Sequence, residues 1–279
     1  MELKIYPSIE NAILLCLLFL GLQIGFGVLT VFIVTLFKGA DQFLEVGIAT
    51  GLTNLIAFSI VLFLGFKKTK RSFNDVFKFN KVSPSLWFTV TLFMAGLVII
   101  TSELDNLVNY LLPMPEAFIQ VFDMLTKKQI FAVEIIIVVV IPGFMEELLF
   151  RGLILDGLNR NYSIKKAMII SAFLFGLIHL NPWQFYSGFI IGLISAWICI
   201  RANTILLSIY MHLFNNLSYA VTVKYSGFIP IKGFNITKQG EFQPLWFDIT
   251  GAVMLITGTL LLVKGLNKAK NLKALPYIA

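Results

Sequence analysis

Apolar runs long enough to cross a bilayer recur along almost the whole chain, and no polar stretch between them exceeds a loop in length. A membrane helix needs roughly 20 apolar residues. Runs of that kind lie near 10–37, 46–66, 84–102, 129–154, 166–181, 184–200, 204–223 and 245–263. Only 13% of the residues are charged and 58% are hydrophobic, whereas a soluble domain carries about 25% charged residues. So much apolar surface cannot be hidden in one core, and lipid is the only solvent that suits it. The expected architecture is all-α, a polytopic transmembrane bundle of about eight spans. The fifth and sixth runs are separated only by Asn181-Pro182-Trp183, which reads as a tight hairpin. The first run is too long for a signal-peptide core and lacks a small-residue cleavage site, so it is expected to be retained.

Basic residues cluster at alternate loops: Lys67, Lys68, Lys70 and Arg71 after the second run, Arg160, Lys165 and Lys166 after the fourth, Arg201 after the sixth, and Lys264, Lys268, Lys270 and Lys273 after the eighth. By the positive-inside rule both termini face the cytoplasm of a plasma-membrane protein. The 103–123 connection agrees, with Glu103, Asp105, Glu116 and Asp123, whereas the loop bearing Lys224, Lys232 and Lys238 fits less well. The net charge of +7 is then a topology signal plus attraction to anionic lipid, and no nucleic-acid partner is needed to explain it. Cys16 and Cys199 sit in apolar runs without a CxxC neighbour and read as small hydrophobes. Small-residue spacings at Gly21/Gly25, Gly47/Gly51 and Gly188/Gly192/Ala196 would let helix backbones approach closely. The apolar 104–112 stretch reads as an interfacial helix, and the Phe73, Phe77, Phe79 segment as one lying on the inner leaflet.

Against this apolar background the ionisable residues stand out. The chain's two histidines, His179 in FLFGLIHL and His212 in ILLSIYMHLFNN, both lie inside apolar runs, and GFMEELLFRG places Glu146, Glu147 and Arg151 in a third. Such groups cost at least ~2.5 kcal/mol each at membrane depth, so they rarely persist there without a partner or a task. On one helix, Glu147 and Arg151 are four residues apart and can form an ion pair. Glu146 points about 100° away from Glu147, free to face something else. Gly143, three residues before Glu146, is expected to leave room for a water or a peptide. Pro142 removes a backbone donor and is expected to bend the helix. Phe175/His179 and His212/Asn216 are further i, i+4 pairs, with Asn215 beside the second. Each feature alone is commonly structural. Two carboxylates, two histidines and an amide within one cavity below the cytoplasmic surface point instead to an intramembrane polar site that does chemistry.

Glu146-Glu147-x-x-x-Arg151, Phe175-x-x-x-His179 and His212-x-x-x-Asn216 resemble, in order and spacing, the three motifs of the CAAX-protease and bacteriocin-processing family of intramembrane endopeptidases, also called the Abi family. The resemblance covers roughly 129–223, a core flanked by N-terminal helices and loops over 1–128. The 224–279 region adds an extracytoplasmic loop, a last helix and a basic tail. It implies hydrolysis of a peptide bond by an activated water. Glu146 would be the general base, His179 would bind or orient the water, Glu147 and Arg151 would shape the site, and His212 and Asn216 would stabilise the oxyanion. Phe175 marks the second motif. A glutamate in a poorly hydrated site has its affinity for protons raised, which suits such a base.

A metal stays open. Glu146, His179 and His212 have the donor chemistry of an open zinc site, although the HExxH spacing of soluble zinc proteases is absent. The expected substrate is a membrane-associated peptide or protein. A basic set of 18 Lys and 4 Arg favours a bacterial member, in peptide processing or bacteriocin self-immunity, over a prenyl-protein protease. The alternative is a non-proteolytic membrane scaffold that binds a sensor kinase or a cell-wall enzyme. A transporter is disfavoured by the absence of inverted repeats and paired broken helices.

Overall fold

The computed structural model describes residues 5–38, 43–125, 129–228, 230–235 and 241–274, and within them every regular element is helical. In chain order these are α1 (Ile9–Lys38), α2 (Phe43–Thr69), α3 (Phe73–Phe77), α4 (Pro84–Leu111) and α5 (Glu116–Leu125), followed by α6, a helical run over 131–161. After α6 come α7 (Ile164–Leu177), α8 (Pro182–Ala202), α9 (Leu206–Lys224) and α10 (Leu245–Ala274). The run α6 is not uniform. Phe131–Glu134, Ile141–Glu147 and Leu155–Asn161 are α-helical, and π-helical stretches Ile135–Val140 and Leu148–Ile154 separate them. Lys238 and residues after 274 lie outside the described residues, as do the side chains of Lys270 and Lys273.

Among the described residues, five helices are long and apolar enough to cross a membrane: Ile9–Ile33 of α1, Val46–Thr69 of α2, Pro84–Leu111, Pro182–Ala202, and Leu245–Lys268 of α10. The chain is a multi-pass membrane protein, but a count of eight spans is not confirmed. The difference falls on α6, α7 and α9, the elements that carry the three motifs. At 14 residues, α7 extends about 21 Å, short of a hydrocarbon core of about 30 Å. His212, Asn215 and Asn216 interrupt the apolar sequence of α9, while π stretches and Glu134, Glu146, Glu147 and Arg151 break up α6. The residues that build the polar site are what remove their helices from the uniformly apolar class.

Helix α6 is the central element, with Leu149, Phe150, Ile154 and Leu158 fully buried among residues of α1, α2, α3, α7 and α9. A second core joins α4 and α10 to α8 and α9 through Met94, Leu262, Ile198, Leu207 and Met211. Tight backbone approach pins the α7–α8 hairpin. A Cβ on Gly176 would stand 2.7 Å from the Phe185 carbonyl oxygen, and one on Gly192 3.1 Å from Ala172 Cα. The turn between them is built by Asn181, whose side chain accepts from Gln184 N and donates to His179 O and Gln184 Oε1. Leu180 sits there at φ +56°, a conformation bulky side chains rarely adopt. Of the expected glycine contacts, Gly47, Gly51, Gly188 and Gly192 meet neighbours, while Gly21 and Gly25 have open space. Cys16 and Cys199 are buried free thiols.

Two segments differ from expectation. The 104–112 stretch is not a separate interfacial helix, because α4 continues through it to Leu111. The Phe73–Phe79 segment does not simply lie on lipid. Phe73 is exposed, but Phe77 is buried, clusters with Phe66 and Phe73, and fills the space that the missing side chain of Gly152 leaves on α6.

Past the last apolar turn of α6, Asp156 is clamped by three cations from three segments. Arg71 donates to Oδ2, Arg160 Nε donates to the same oxygen at 3.0 Å, and Lys78 Nζ stands 3.1 Å from Oδ1. Burial pushes this carboxyl up, but the bonds from Arg160 and Arg71 and the charge of Lys78 outweigh it and hold it below its ordinary value. The clamp fastens the α2–α3 connection to α6. Because the folded form binds its proton less readily than the unfolded chain, the stabilisation is full above the unfolded value of about 3.9 and is lost as pH falls through the folded value. Asp156→Asn is therefore expected to cost about 1–3 kcal/mol at pH 7. In thermal melts of the detergent-solubilised chain, that gap should close below about pH 4.

Candidate active site

The site is assembled on Glu147, whose side chain is fully buried together with that of Arg151. Arg151 Nη1 lies 3.0 Å from Glu147 Oε1, as the i, i+4 spacing predicts, and His212 Nδ1 from α9 donates to the same oxygen at 2.9 Å. A carboxylate only accepts, so Nδ1 carries the proton and Nε2 is left with the free lone pair of the neutral ring. That Nε2 stands 3.8 Å from Glu146 Oε2. The two adjacent glutamates thus meet one histidine from opposite sides. Glu147 orients it, and Glu146 faces its reactive nitrogen.

Phe175 of α7 is the apolar hub. The Arg151 guanidinium lies over its ring at 4.3 Å, a contact worth about 2 kcal/mol when desolvated. The rings of His179 and His212 meet it edge-on at 5.4 and 5.6 Å. Its carbonyl oxygen is 2.9 Å from His179 Nδ1, so that nitrogen too is the donor, and His179 Nε2 is the acceptor. Both histidines therefore present Nε2, each with Nδ1 held by an oxygen.

The π turns of α6 have visible partners. Proline has no N–H, so Pro142 cannot donate to the carbonyl of Val138 four residues earlier. Asn216 Nδ2 donates to that oxygen at 3.0 Å, and Asn215 Nδ2 donates to Asn216 Oδ1 at 3.2 Å. The amide of the third motif thus fills a backbone vacancy made by the proline. The second π stretch is steadied by Ser171 Oγ, which donates to Phe150 O at 3.2 Å. Gly143 has a different tenant from the one expected. A Cβ there would lie 2.8 Å from Leu213 Cδ2, so its small size lets α9 pack against α6 and leaves no room for a water or a peptide.

Glu146 and His179 open into one cavity of about 180 Å³, walled also by Pro142, Ile178, Leu180 and Gln184, and by Phe19, Gln23, Asn54 and Phe58 of α1 and α2. Glu146 Oε2 has no hydrogen-bond partner among the described residues. Ten residues separate Glu146 from Asp156, which puts the site about 15 Å from the basic clamp. His212 and Asn216 stand behind Glu146 rather than in the cavity lining. Gln23, Asn54 and Gln184 were not among the expected site residues. Neutral amides lack the charge that makes ionisable groups conspicuous in apolar runs, yet Gln23 in 10–37 and Asn54 in 46–66 are polar residues within such runs.

As for a metal, the donor chemistry suits zinc and both Nε2 atoms are oriented by second acceptors. However, no three His, Cys, Asp or Glu side chains come together in a metal-holding group among the described residues. Glu146, His179 and His212 do not fit a common ion as they stand, and the chemistry below rests on the protein's own groups.

Residues 128–218 match the family model described as type II CAAX prenyl endopeptidase Rce1-like. The match reaches from the residues before α6 into α9 and takes in all three motifs. Over that stretch the chain is similar to the CAAX-protease and bacteriocin-processing family that its motifs resemble. No curated protein and no solved structure matches the chain.

Arg151→Ala leaves Glu147 buried without its cation and is expected to destabilise the fold by about 3–5 kcal/mol. The double change Glu147→Leu with Arg151→Met removes both charges and should recover most of the folded yield, measured as the monodisperse fraction on size-exclusion chromatography. Asn216→Leu should cost about 1–3 kcal/mol by orphaning the Val138 carbonyl, read as a lower melting temperature.

Proposed function

We propose that this protein is an intramembrane endopeptidase that hydrolyses a peptide bond of a membrane-associated peptide or protein with a water activated by Glu146. The family match supports an endopeptidase of CAAX type in general terms. The observation that carries the finer reading is the cavity into which Glu146 and His179 both open, with the buried Glu147–Arg151–His212 cluster directly behind it.

The steps follow from that arrangement. A water held between Glu146 and His179 Nε2 loses a proton to the Glu146 carboxylate, and its oxygen attacks the scissile carbonyl carbon. The carbonyl π electrons move to oxygen and give a tetrahedral oxyanion. His212 turns its Nε2 toward Glu146, and Glu147 accepts from its Nδ1, so His212 can donate to developing negative charge once its Nε2 has taken from Glu146 the proton that came from the water, which it hands back before the C–N bond breaks. Asn216 has a second N–H beyond the one given to Val138 O. Donors held by Glu147 and Val138 in a poorly hydrated site do not have to reorient as charge develops, unlike water. Collapse of the oxyanion breaks the C–N bond, and Glu146 returns its proton to the leaving amine. The products are a carboxylic acid and an amine, and Glu146 is regenerated. Glu147 and Arg151 act through His212 and are positioning residues.

The setting we read for this chemistry is a bacterial plasma membrane with both termini in the cytoplasm, in peptide processing or bacteriocin self-immunity. The lysine-rich basic set and the basic clusters support that reading.

Purified chain in nanodiscs, assayed with a set of membrane-partitioning apolar peptides that includes a farnesylated CaaX peptide, tests the mechanism. Glu146→Gln should lower kcat by about 10³-fold with little change in KM, within the range of general-base contributions, while melting at the wild-type temperature. Turnover by Glu146→Gln within a few-fold of wild type would remove Glu146 from the reaction.

A further inference from the structure

The cavity has a second polar wall that the hydrolytic chemistry does not use. Gln23 of α1 and Asn54 of α2 line it together with Glu146 and His179, and Gln23 Nε2 donates to Asn54 Oδ1 at 3.2 Å. One helical turn from each amide, Phe19 and Phe58 stack with ring centroids 4.1 Å apart and line the same cavity. The spacings are i, i+4 on both helices, so α1 and α2 together present two tiers, a pair of amides and a pair of aromatic rings. We propose that this wall is the substrate-backbone clamp. The Gln23–Asn54 pair holds a peptide unit of an extended substrate, over an apolar floor made by the buried Phe19–Phe58 stack. The proposal rests on the endopeptidase reading and adds to it the residues that hold the peptide.

The chemistry of the pair suits that ligand. Each primary amide offers two N–H donors and a carbonyl with two lone pairs, and their mutual bond occupies one donor of Gln23 and one lone pair of Asn54. A peptide entering a poorly hydrated site must have its own N–H and C=O satisfied there. Side chains that both donate and accept can satisfy them whatever the substrate's side chains are. Carboxylates or cations in the same place would instead select charge. The competing role is glue between α1 and α2. Yet α1 and α2 already meet through the Phe19–Phe58 stack, and glue has no need to face the cavity that holds Glu146.

The two roles separate in a substrate-by-variant cycle. The full-length Glu146→Gln chain in nanodiscs binds but does not turn over. Its affinity is measured for the tightest binder among membrane-partitioning apolar peptides, a farnesylated CaaX peptide included, and for a set of analogues of it, each with one backbone N–H replaced by an ester oxygen. One analogue should bind about 10-fold more weakly than the parent, the size of one lost hydrogen bond. That penalty should vanish when Gln23→Leu or Asn54→Leu is added. If no analogue's penalty depends on either variant, and the variants only lower the melting temperature, the pair is interhelical glue and the proposal is overturned. Failure of every peptide to bind overturns it too. The endopeptidase reading is judged separately on the wild-type chain. Cleavage with no coupling to Gln23 or Asn54 sinks the clamp alone. Coupling with no cleavage by wild type sinks the endopeptidase and leaves the clamp standing.

Discussion

A fully buried carboxylate shared by an arginine and a histidine is the interaction on which the rest of the site depends. Removing Glu147 and Arg151 from water costs several kcal/mol per ion, and their attraction offsets this only if the geometry is good and further polar contacts follow. Here both come from α6, so the helix sets their spacing before any tertiary contact forms. His212 then gives the carboxylate a hydrogen bond, and the Phe175 ring lies beneath the guanidinium. One motif from each of α6, α7 and α9 is held by this cluster. The same contacts leave Glu146 beside Glu147 in sequence but turned toward the cavity, with Oε2 bound to nothing in the described protein. A buried ion pair and a carboxylate that faces the cavity thus occupy consecutive positions, because successive helical residues point about 100° apart.

The shape of α6 is the second requirement. A regular helix with Pro142 in its middle would leave the Val138 carbonyl unsatisfied at membrane depth, a loss comparable to a full buried hydrogen bond. The chain accommodates this with a π stretch ahead of the proline and an amide from α9 on the exposed oxygen. Asn216 therefore joins α9 to α6 one turn from where His212 joins it. Two cross-links a turn apart fix both the height and the rotation of α9, which sets the 3.8 Å approach of His212 to Glu146. Gly143 contributes by admitting Leu213 between them.

Much of this was legible in the sequence because lipid makes every polar residue conspicuous. The helical class, the three motif-bearing helices and the Glu147–Arg151 pair follow from apolar run length and i, i+4 spacing. What escaped needed the relative rotation of separate helices. Pro142 announces an orphaned carbonyl but not that Asn216 will fill it, and Gly143 announces space but not that Leu213 will take it. Apolar run length alone gives about eight spans, whereas five helices among the described residues meet the length and apolarity that crossing needs. The shortfall lies in α6, α7 and α9, where site residues or short length dilute the apolar signal. Gln23 and Asn54 were passed over for a different reason. An amide carries no charge, so it disturbs an apolar run too little to draw attention until the fold brings it to the cavity that Glu146 lines.

The most direct measurement is a comparison of the peptides recovered from membranes and medium of cells expressing the wild-type chain or Glu146→Gln at matched levels. Hydrolysis by a Glu146-activated water predicts peptides with new termini that appear only with the wild type, and their ends would define the bond cut. Identical peptide profiles from two equally folded proteins, with Glu146→Gln supporting the cellular role of the wild type, would contradict it and leave a membrane protein that acts by binding.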